Sequence, residues 1–289
     1  MNKKAIIAQA SVTGSAHLQS GTPCQDSSAV WFSSDGEFLI TIVSDGAGSC
    51  SHSHVGSAFV VKKTVDILKE RIEKNKWFYN RVLPDAVQWK KELFFIFKAV
   101  KVGIQQIAEE VKTDYKAFSC TIMLAVSTRY GMAYAHIGDG RAAIRTENEE
   151  WKAAINPMKG EEANQTVFIT SELWDESISS NYFDANVINE SISAVALLTD
   201  GCERASFEML SFDEETGKYY DPNKPFKPFF EPNYQNLFKM KWAGFSQDKI
   251  NRLWAGFLEN GNAKLRAETD DKTMILAVFE PENTNEKTI

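Results

Sequence analysis

Two long amphipathic segments lie between two groups of strand-like segments, and this order limits the possible folds more than any other feature. The first begins at about Ser53, which we expect to be the N-cap, and the second follows Pro84-Asp85. Apolar residues recur in both every three or four positions. They are Val55, Ala58, Val61, Val65, Leu68 and Ile72, then Trp89, Leu93, Ile96, Val100, Ile104, Ile107 and Val111. Both helices are expected to share one layer.

Strand-like segments come before and after these helices. We predict strands at 5–12, 28–32 and 37–44, with a hairpin turn at Asp35-Gly36, and later at 118–126, 130–137, 141–145, 166–170, 192–199 and 273–280. Strands, then helices, then strands indicate a layered α+β fold and not a βαβ repeat. We interpret residues 1–289 as a single domain.

Residues 207–245 form a separate stretch, with four of the eight prolines and eleven aromatic residues. The prolines disfavour both a regular helix and a central strand. So many aromatic residues are typical of ordered structure, which leaves two alternatives: an insertion packed on the core, or a docking surface for a partner protein. A last amphipathic helix follows, with Ile250, Leu253, Trp254 and Phe257 on its apolar face.

Composition and charge exclude several classes of protein. The formal net charge of −7 argues against a nucleic-acid partner, because phosphate binding needs clustered Lys and Arg. No apolar run is long enough to span a bilayer, so we expect no membrane contact and a cytoplasmic location. The four cysteines form no CxxC pair, which indicates neither a zinc site nor a disulfide framework.

Five aspartates are placed at the ends of predicted strands. Asp45, Asp139 and Asp200 each follow an apolar strand and precede glycine, whereas Asp26 and Asp270 come just before strands. Any one of them alone is typical of a turn, and Asp139 is compatible with a plain hairpin. Asp45 and Asp200 are not explained by hairpins, because the residues after them are not strand-like.

These aspartates can converge on one rim of the sheets. Clustered carboxylates repel one another unless cations compensate, and hard oxygen ligands select Mg²⁺ or Mn²⁺. Glycine at position 46 allows a close backbone approach, so the Gly46 carbonyl is a further candidate ligand. The sequence therefore predicts a binuclear site for hard metal ions.

The order of these motifs resembles the metal-dependent serine/threonine protein phosphatases of type 2C, in their divergent bacterial branch. The matching segments are GTPCQD (21–26), VSDGAGS (43–49), AHIGDGRAAI (135–144), ALLTDGCERAS (196–206) and ETDDKTMILAVF (268–279). They span nearly the whole chain. The resemblance implies a four-layer αββα sandwich of two antiparallel sheets flanked by helices, with the metal site in a cleft at one end.

The resemblance also implies roles for single residues. Asp45 would bridge two Mn²⁺ or Mg²⁺ ions with the Gly46 carbonyl beside it, and a third, weaker ion is implied. A metal-activated water would then attack the phosphorus of phosphoserine or phosphothreonine in a protein substrate, and a cognate kinase is a further candidate partner. The other implied ligands are Asp200 and Asp270 for the first metal, Asp139 with Asp200 for the third, and Asp26 or Gln25 through metal-bound waters.

The sequence departs from the family pattern near the phosphate. Gly21 stands where many relatives carry an Arg that grips the phosphate, and Ala47 stands where some relatives carry a His. His17 is a candidate substitute that contacts phosphate or protonates the leaving oxygen, and a surface-loop His is the alternative. We expect Arg141 to support Asp139, His136 to be structural, and His52 and His54 to be exposed.

Two other functional classes stay open. One is a phosphatase-like regulatory module that docks phosphoproteins or a kinase without turnover, and the absence of Arg at position 21 is its main support. The other is a different metal hydrolase, such as a phosphodiesterase or nuclease. The complete set of acidic positions favours the phosphatase.

Overall fold

The computed structural model describes residues 5–158, 166–172 and 183–281. In chain order the strands are β1 (Ala5–Val12), β2 (Ser27–Phe32), β3 (Leu39–Ser44), β4 (Ile122–Thr128), β5 (Gly131–Ile137), β6 (Arg141–Thr146), β7 (Trp151–Ala153), β8 (Asp184–Ile188), β9 (Ile192–Leu198), β10 (Phe207–Glu208), β11 (Ser211–Asp213), β12 (Lys218–Tyr220), β13 (Lys224–Pro225) and β14 (Lys272–Phe279). The helices are α1 (Ser15–Ser20), α2 (Ser53–Asn75), α3 (Ala86–Glu110), α4 (Glu203–Ser206), α5 (Lys227–Trp242), α6 (Gln247–Asn260) and α7 (Ala263–Ala267).

The longer strands form two antiparallel sheets. The first has the order β1-β14-β9-β6-β7 and the second the order β2-β3-β4-β5-β8. In the first sheet the first and last strands pair directly, with Ala5 opposite Phe279 and Val12 opposite Lys272. The predicted hairpin at Asp35-Gly36 joins β2 to β3, and Gly36 has the positive φ of 74° that such a turn requires.

The two sheets pack face to face, and helices cover their outer faces. The layer between the sheets buries apolar residues of both, including Ile7, Leu39, Met123 and Ile275. A second core lies between the second sheet and helices α2 and α3, and a third lies between the first sheet and helices α5 and α6. This arrangement confirms the predicted αββα sandwich.

Both predicted long helices are present, but the start of α2 differs from the prediction. Helix α2 begins at Ser53 with His52 as the cap residue, and the Ser53 hydroxyl donates to the Cys50 carbonyl, so Ser53 is not the N-cap. Val55 is exposed, and Gly56 is buried against the Phe118 backbone, where a Cβ would lie 2.1 Å from the carbonyl oxygen. The apolar period failed in this turn because small residues make the close contact.

Helix α3 begins as predicted, since the Asp85 side chain accepts hydrogen bonds from the amides of Val87 and Gln88. Its predicted apolar face is buried from Trp89 to Ile104. At its end the pattern weakens, because Val111 lies beyond the helix and is 55% exposed.

The strand predicted at 166–170 is wrong. Residues 166–168 have no regular structure and the next two form a turn, which is anchored where the Ile169 amide donates to the Cys120 carbonyl at 3.0 Å. Conversely, β7 and β8 are edge strands too short or too polar for the sequence pattern to show. The four cysteines are free, and Cys120 and Cys202 are buried.

The proline-rich stretch contains a regular helix, contrary to our expectation. Pro228 lies in the first turn of α5, where an amide hydrogen is not needed, and Pro232 lies inside the helix. The side-chain amide of Asn233 donates to the Phe229 carbonyl at 2.8 Å and so supplies a bond within this distorted turn. Burial of Phe230 and Leu237 against the first sheet stabilises the helix despite Pro232.

In the part of the chain that the structure describes, no helix is both long enough and apolar enough to cross a lipid bilayer.

Candidate metal centre

Asp45 directly follows the last residue of β3, and its backbone is fixed on both sides. Its amide donates to the Thr121 hydroxyl at 2.9 Å, and its carbonyl accepts from the Thr121 amide at 2.8 Å. These two bonds join the end of β3 to the residue just before β4. The backbone at Asp45 is therefore held by two central strands of the second sheet.

Gly46 lies where two chain segments approach closely. A Cβ at this position would be 2.6 Å from the Gln25 carbonyl oxygen and 3.0 Å from the Ser53 side chain. No larger residue fits without moving the segment that carries Gln25 and Asp26. The glycine thus brings the two acidic motifs together.

Asp26 lies just before β2 and is buried. The Thr199 hydroxyl donates to its carboxylate at 2.7 Å, and Thr199 follows β9 of the opposite sheet. This bond crosses the sandwich and joins the ends of β2 and β9. Sequence reasoning missed Thr199, although it directly precedes Asp200.

The other three predicted aspartates come from the loops around this point. Asp200 opens a 3₁₀ turn after β9, Asp139 lies between β5 and β6, and Asp270 precedes β14. The Asp200 and Asp45 carboxyl groups lie next to each other, and the Thr166 hydroxyl donates to Asp139 at 3.1 Å. The structure therefore brings the five aspartates to one end of the sandwich.

Mutual repulsion and burial perturb three of these carboxyl groups. Burial, followed by the charges of Asp26, Asp200, Asp270 and Asp139, raises the pKa of Asp45 well above its ordinary value. Burial also raises the pKa of Asp26 to about 8 and that of Asp200 to about 7, with neighbouring aspartates adding to both. Without cations, the cluster holds protons near neutral pH.

The residues at this site fit a group of divalent metal ions. The donors are carboxylate oxygens from five separate chain segments, and the neighbours that raise the pKa of Asp45 are the other four aspartates. Bound cations would replace the protons and remove the repulsion. Mg²⁺ and Mn²⁺ prefer such oxygen ligands.

The raised pKa values predict how the metal-free protein responds to pH. Asp26 loses its proton near pH 8 in the folded state but near 3.8 when unfolded, so the folded protein binds more protons in between. The contribution of this group to the free energy of unfolding is therefore fully present below about pH 4 and is lost as pH rises through 8. The loss is up to about 1.4 kcal/mol per pH unit for each such group.

Thermal unfolding in EDTA checks this prediction. Between pH 6.5 and 8.0 we expect the melting temperature in EDTA to fall by several degrees. Saturating Mn²⁺ should flatten the slope, and Asp26→Asn should reduce it. A melting temperature in EDTA that is level or rising over this range would contradict the carboxylate cluster.

His17 and Asp271 form a second pair beside the cluster. The His17 Nδ1 atom lies 2.9 Å from the Asp271 carboxylate, an ion-pair contact not aligned as a hydrogen bond. Asp271 is buried and accepts from the backbone amides of Gly14 at 2.7 Å and Gln25 at 2.6 Å. One ligand atom each of His17, Asp270 and Asp271 lie within 4.8 Å of one another.

Asp271 therefore fixes the segment that carries both predicted substrate contacts, His17 and Gln25. The Gln25 side-chain oxygen is buried and has no hydrogen-bond partner within the described residues. Sequence reasoning gave Asp271 no role, although it is part of the Asp270-Asp271 pair. Buried carboxylates that accept backbone amides cannot be identified from the sequence pattern.

Gly21 explains locally why no Arg stands at its position. It caps the C-terminus of α1 with φ of 70°, a conformation that favours glycine, and no atom lies within 4 Å of an added Cβ. The obstacle to Arg is therefore backbone strain and not a lack of space.

Arg141 does not support Asp139, contrary to our expectation. Its guanidinium is fully buried and donates to Glu203 at 2.9 Å, to Asp221 at 2.5 Å and to Asn223 at 2.7 Å. We refer to these four residues as the Arg141 network. It joins the start of β6 and the start of α4, which follow two of the aspartates, to the stretch 207–245. We call this stretch the aromatic insertion.

The remaining histidines lie mostly as expected. His136 is buried, its Nε2 atom lies 3.0 Å from the Asn156 carbonyl, and burial lowers its pKa, which agrees with a structural role. His52 and His54 are partly buried and not exposed, because His52 packs against the Phe118 ring at 5.1 Å.

Known proteins show the same sequence pattern and the same fold. The family model described as protein phosphatase 2C matches residues 13–251, more than half of the chain. The serine/threonine-protein phosphatase 3 of Escherichia coli (strain K12) is 26% identical over 281 residues, which cover 94% of this chain and 98% of that protein.

Two solved structures share the fold. A bacterial serine phosphatase has a TM-score of 0.55 at 15% identity, with 97% of this chain and 99% of that chain covered. The serine-threonine phosphatase 2C from Toxoplasma gondii has a TM-score of 0.56 at 13% identity, with 97% and 96% covered. By its sequence, the chain belongs to the protein phosphatase 2C family, the serine/threonine protein phosphatases that its acidic motifs resemble.

Proposed function

We propose that this phosphatase hydrolyses phosphoserine and phosphothreonine in proteins by in-line attack of water at a site with two Mn²⁺ or Mg²⁺ ions, and a weaker third. The observation that carries the proposal is the convergence of Asp45 with Asp26, Asp139, Asp200 and Asp270. The proposal includes a cytoplasmic location and a cognate kinase that supplies the phosphoprotein. Both rest on the sequence expectations above.

Each aspartate has a part in holding the ions. Asp45, the Gly46 carbonyl, Asp200 and Asp270 would hold the two main ions, and Asp139 would hold the third ion with Asp200. Bound there, the ions would supply positive charge that lowers the pKa of water and neutralises the phosphoryl oxygens.

The chain's own residues would orient the reactants and move the protons. Asp26, whose carboxylate accepts a hydrogen bond from the Thr199 hydroxyl, would also accept one from the attacking water, and Gln25 would contact the phosphoryl group. The water oxygen bonds to phosphorus as the ester P–O bond breaks. Because Asp271 faces His17 Nδ1, the Nε2 atom of His17 would donate the proton to the departing serine or threonine oxygen.

Metal removal tests this proposal. Hydrolysis of p-nitrophenyl phosphate and of a phosphothreonine peptide should fall to background in EDTA and return with added Mn²⁺, by at least about 10²-fold. In the Asp200→Asn variant, added Mn²⁺ should not restore turnover to the wild-type level. Full turnover in EDTA would exclude the metal mechanism, and no turnover by Mn²⁺-loaded protein would favour a binding module.

A further inference from the structure

A cavity of about 500 Å³ opens beside the metal centre, between α4, the β10–β13 ladder and α7. Its lining is apolar at the floor and charged at the edge. The main lining residues are Arg204, Phe207, Met209, Phe226, Lys264 and Glu268. We call it the insertion pocket, because three of these residues belong to the aromatic insertion.

The insertion pocket is tied to two of the aspartates. The Glu268 carboxylate accepts from the Asp270 amide at 3.3 Å, so one wall is hydrogen-bonded to a candidate metal ligand. Arg204, on another wall, lies one helical turn after Asp200. The pocket therefore lies within a few residues of Asp200 and of Asp270 along the chain.

Two exposed cations, Arg204 and Lys264, line the insertion pocket. Of its two acids, Glu208 pairs with Lys224 at 3.1 Å, and Glu268 accepts two backbone amides. Arg204 and Lys264 are exposed, and neither has a carboxylate partner within residues 5–158, 166–172 and 183–281. Lys264 lies 5.6 Å from the centre of the Phe226 ring, which places its charge over the apolar floor.

The apolar surface continues from the pocket along the insertion. Leu210 lines the pocket and is 71% exposed. It leads into the β11–β12 hairpin, where the exposed rings of Phe212 and Tyr219 pack on each other at 5.0 Å. Exposed apolar groups with unpaired cations beside them are typical of an interaction site.

We propose that the insertion pocket binds the substrate segment next to the phosphorylated residue, and that it selects an apolar side chain flanked by Asp or Glu. This inference rests on the proposed function, because it assumes that a phosphoprotein occupies the metal centre. Arg204 and Lys264 would pair with the carboxylates of the segment, and Phe226 and Met209 would contact the apolar side chain. Because opposite charges attract, these two cations would favour a segment that carries Asp or Glu over one that carries Lys or Arg.

Paired peptides test this proposal. Four phosphothreonine peptides are needed. Two carry Glu-Leu-Glu and two carry Lys-Leu-Lys, in each case once on the N-terminal side and once on the C-terminal side, three to five residues from the phosphothreonine. With Mn²⁺, we expect one of the Glu peptides to have a kcat/KM about three- to ten-fold higher than the Lys peptide of the same placement, mainly because its KM is lower. The double variant Arg204→Glu/Lys264→Glu should reverse this preference, and higher salt should weaken it.

Three comparisons make the test specific. Lys62→Glu reverses one positive charge on α2, in the opposite helical layer, and should keep the preference for Glu. Leu210→Ser should lower kcat/KM for both peptides alike. Turnover of p-nitrophenyl phosphate, which is too small to reach the pocket, reports the chemical step alone.

A preference unchanged by the double charge reversal, or changed equally by Lys62→Glu, would overturn the proposal. If the wild-type protein hydrolyses neither peptide nor p-nitrophenyl phosphate, the proposed function fails separately. Fluorescence polarisation of the same peptides, labelled with fluorescein, then still measures whether the protein binds the Glu peptides more tightly than the Lys peptides. Equal binding of the Glu and Lys peptides in that assay would also overturn it.

Discussion

We expect Asp45→Asn to lower phosphatase turnover by on the order of 10³-fold or more while leaving the metal-free protein at least as stable as the wild type. Asn keeps the size of the side chain but removes a charge that burial and four other aspartates disfavour. Without metal, folding then no longer requires a proton on this carboxyl group near neutral pH, which favours the folded state. In the proposed site, the negative charge of the Asp45 carboxylate would hold the metal ions.

The two measurements are turnover of p-nitrophenyl phosphate with Mn²⁺ and the melting temperature in EDTA. Asp35→Asn is the matched control, because Asp35-Gly36 is the Asp-Gly pair in the hairpin turn between β2 and β3. This turn lies at the opposite end of the two strands from Asp45. It should keep wild-type turnover. An Asp45→Asn protein that turns over normally would remove Asp45 from the mechanism, and one that melts well below wild type would make unfolding the cause of its inactivity.

The convergence of the five aspartates was largely predictable because they stand where strands end or begin. Asp45 and Asp200 each follow an apolar run and precede glycine, and both patterns are local in the sequence. The long helices were predictable for the same reason, since period and capping depend on neighbours within a few residues. The register between sheets was not needed to infer that these carboxylates converge.

Features that depend on distant partners were not predictable in this way. The acceptors of the Arg141 guanidinium lie 62, 80 and 82 residues further along the chain, and the amides that bind Asp271 lie 246 and 257 residues away. No periodicity encodes such pairs. Helix α5 was missed because the local cost of Pro232 is offset by burial of residues against the first sheet, which only the folded structure shows.

The Arg141 network gives the largest expected loss of stability. Removing one member of a buried ion pair leaves charges without a partner, which costs about 3–5 kcal/mol in fully buried pairs. Glu203 and Asp221 retain 19% and 27% side-chain exposure, so water can partly solvate them. We therefore expect Arg141→Met to cost about 2–4 kcal/mol of unfolding free energy.

Urea unfolding of Mn²⁺-loaded protein measures this cost. Arg71→Met is the matched control, because Arg71 pairs with Glu92 at 3.4 Å on the helical surface and is 38% exposed. It should cost less than about 1 kcal/mol. Arg141→Lys keeps the charge but cannot bond all three acceptors, so it should fall between the wild type and Arg141→Met.

Proteolysis separates a local effect from a global one. The network holds Asp221 and Asn223 of the insertion against β6, so its loss should expose residues 210–222 to trypsin before the core unfolds. Cleavage after Lys218 in Arg141→Met, at protease levels that spare Arg71→Met, is the expected result. Equal stability and equal cleavage of the two variants would mean that the buried guanidinium does not hold the insertion in place, and that the apolar contacts of α5 do so alone.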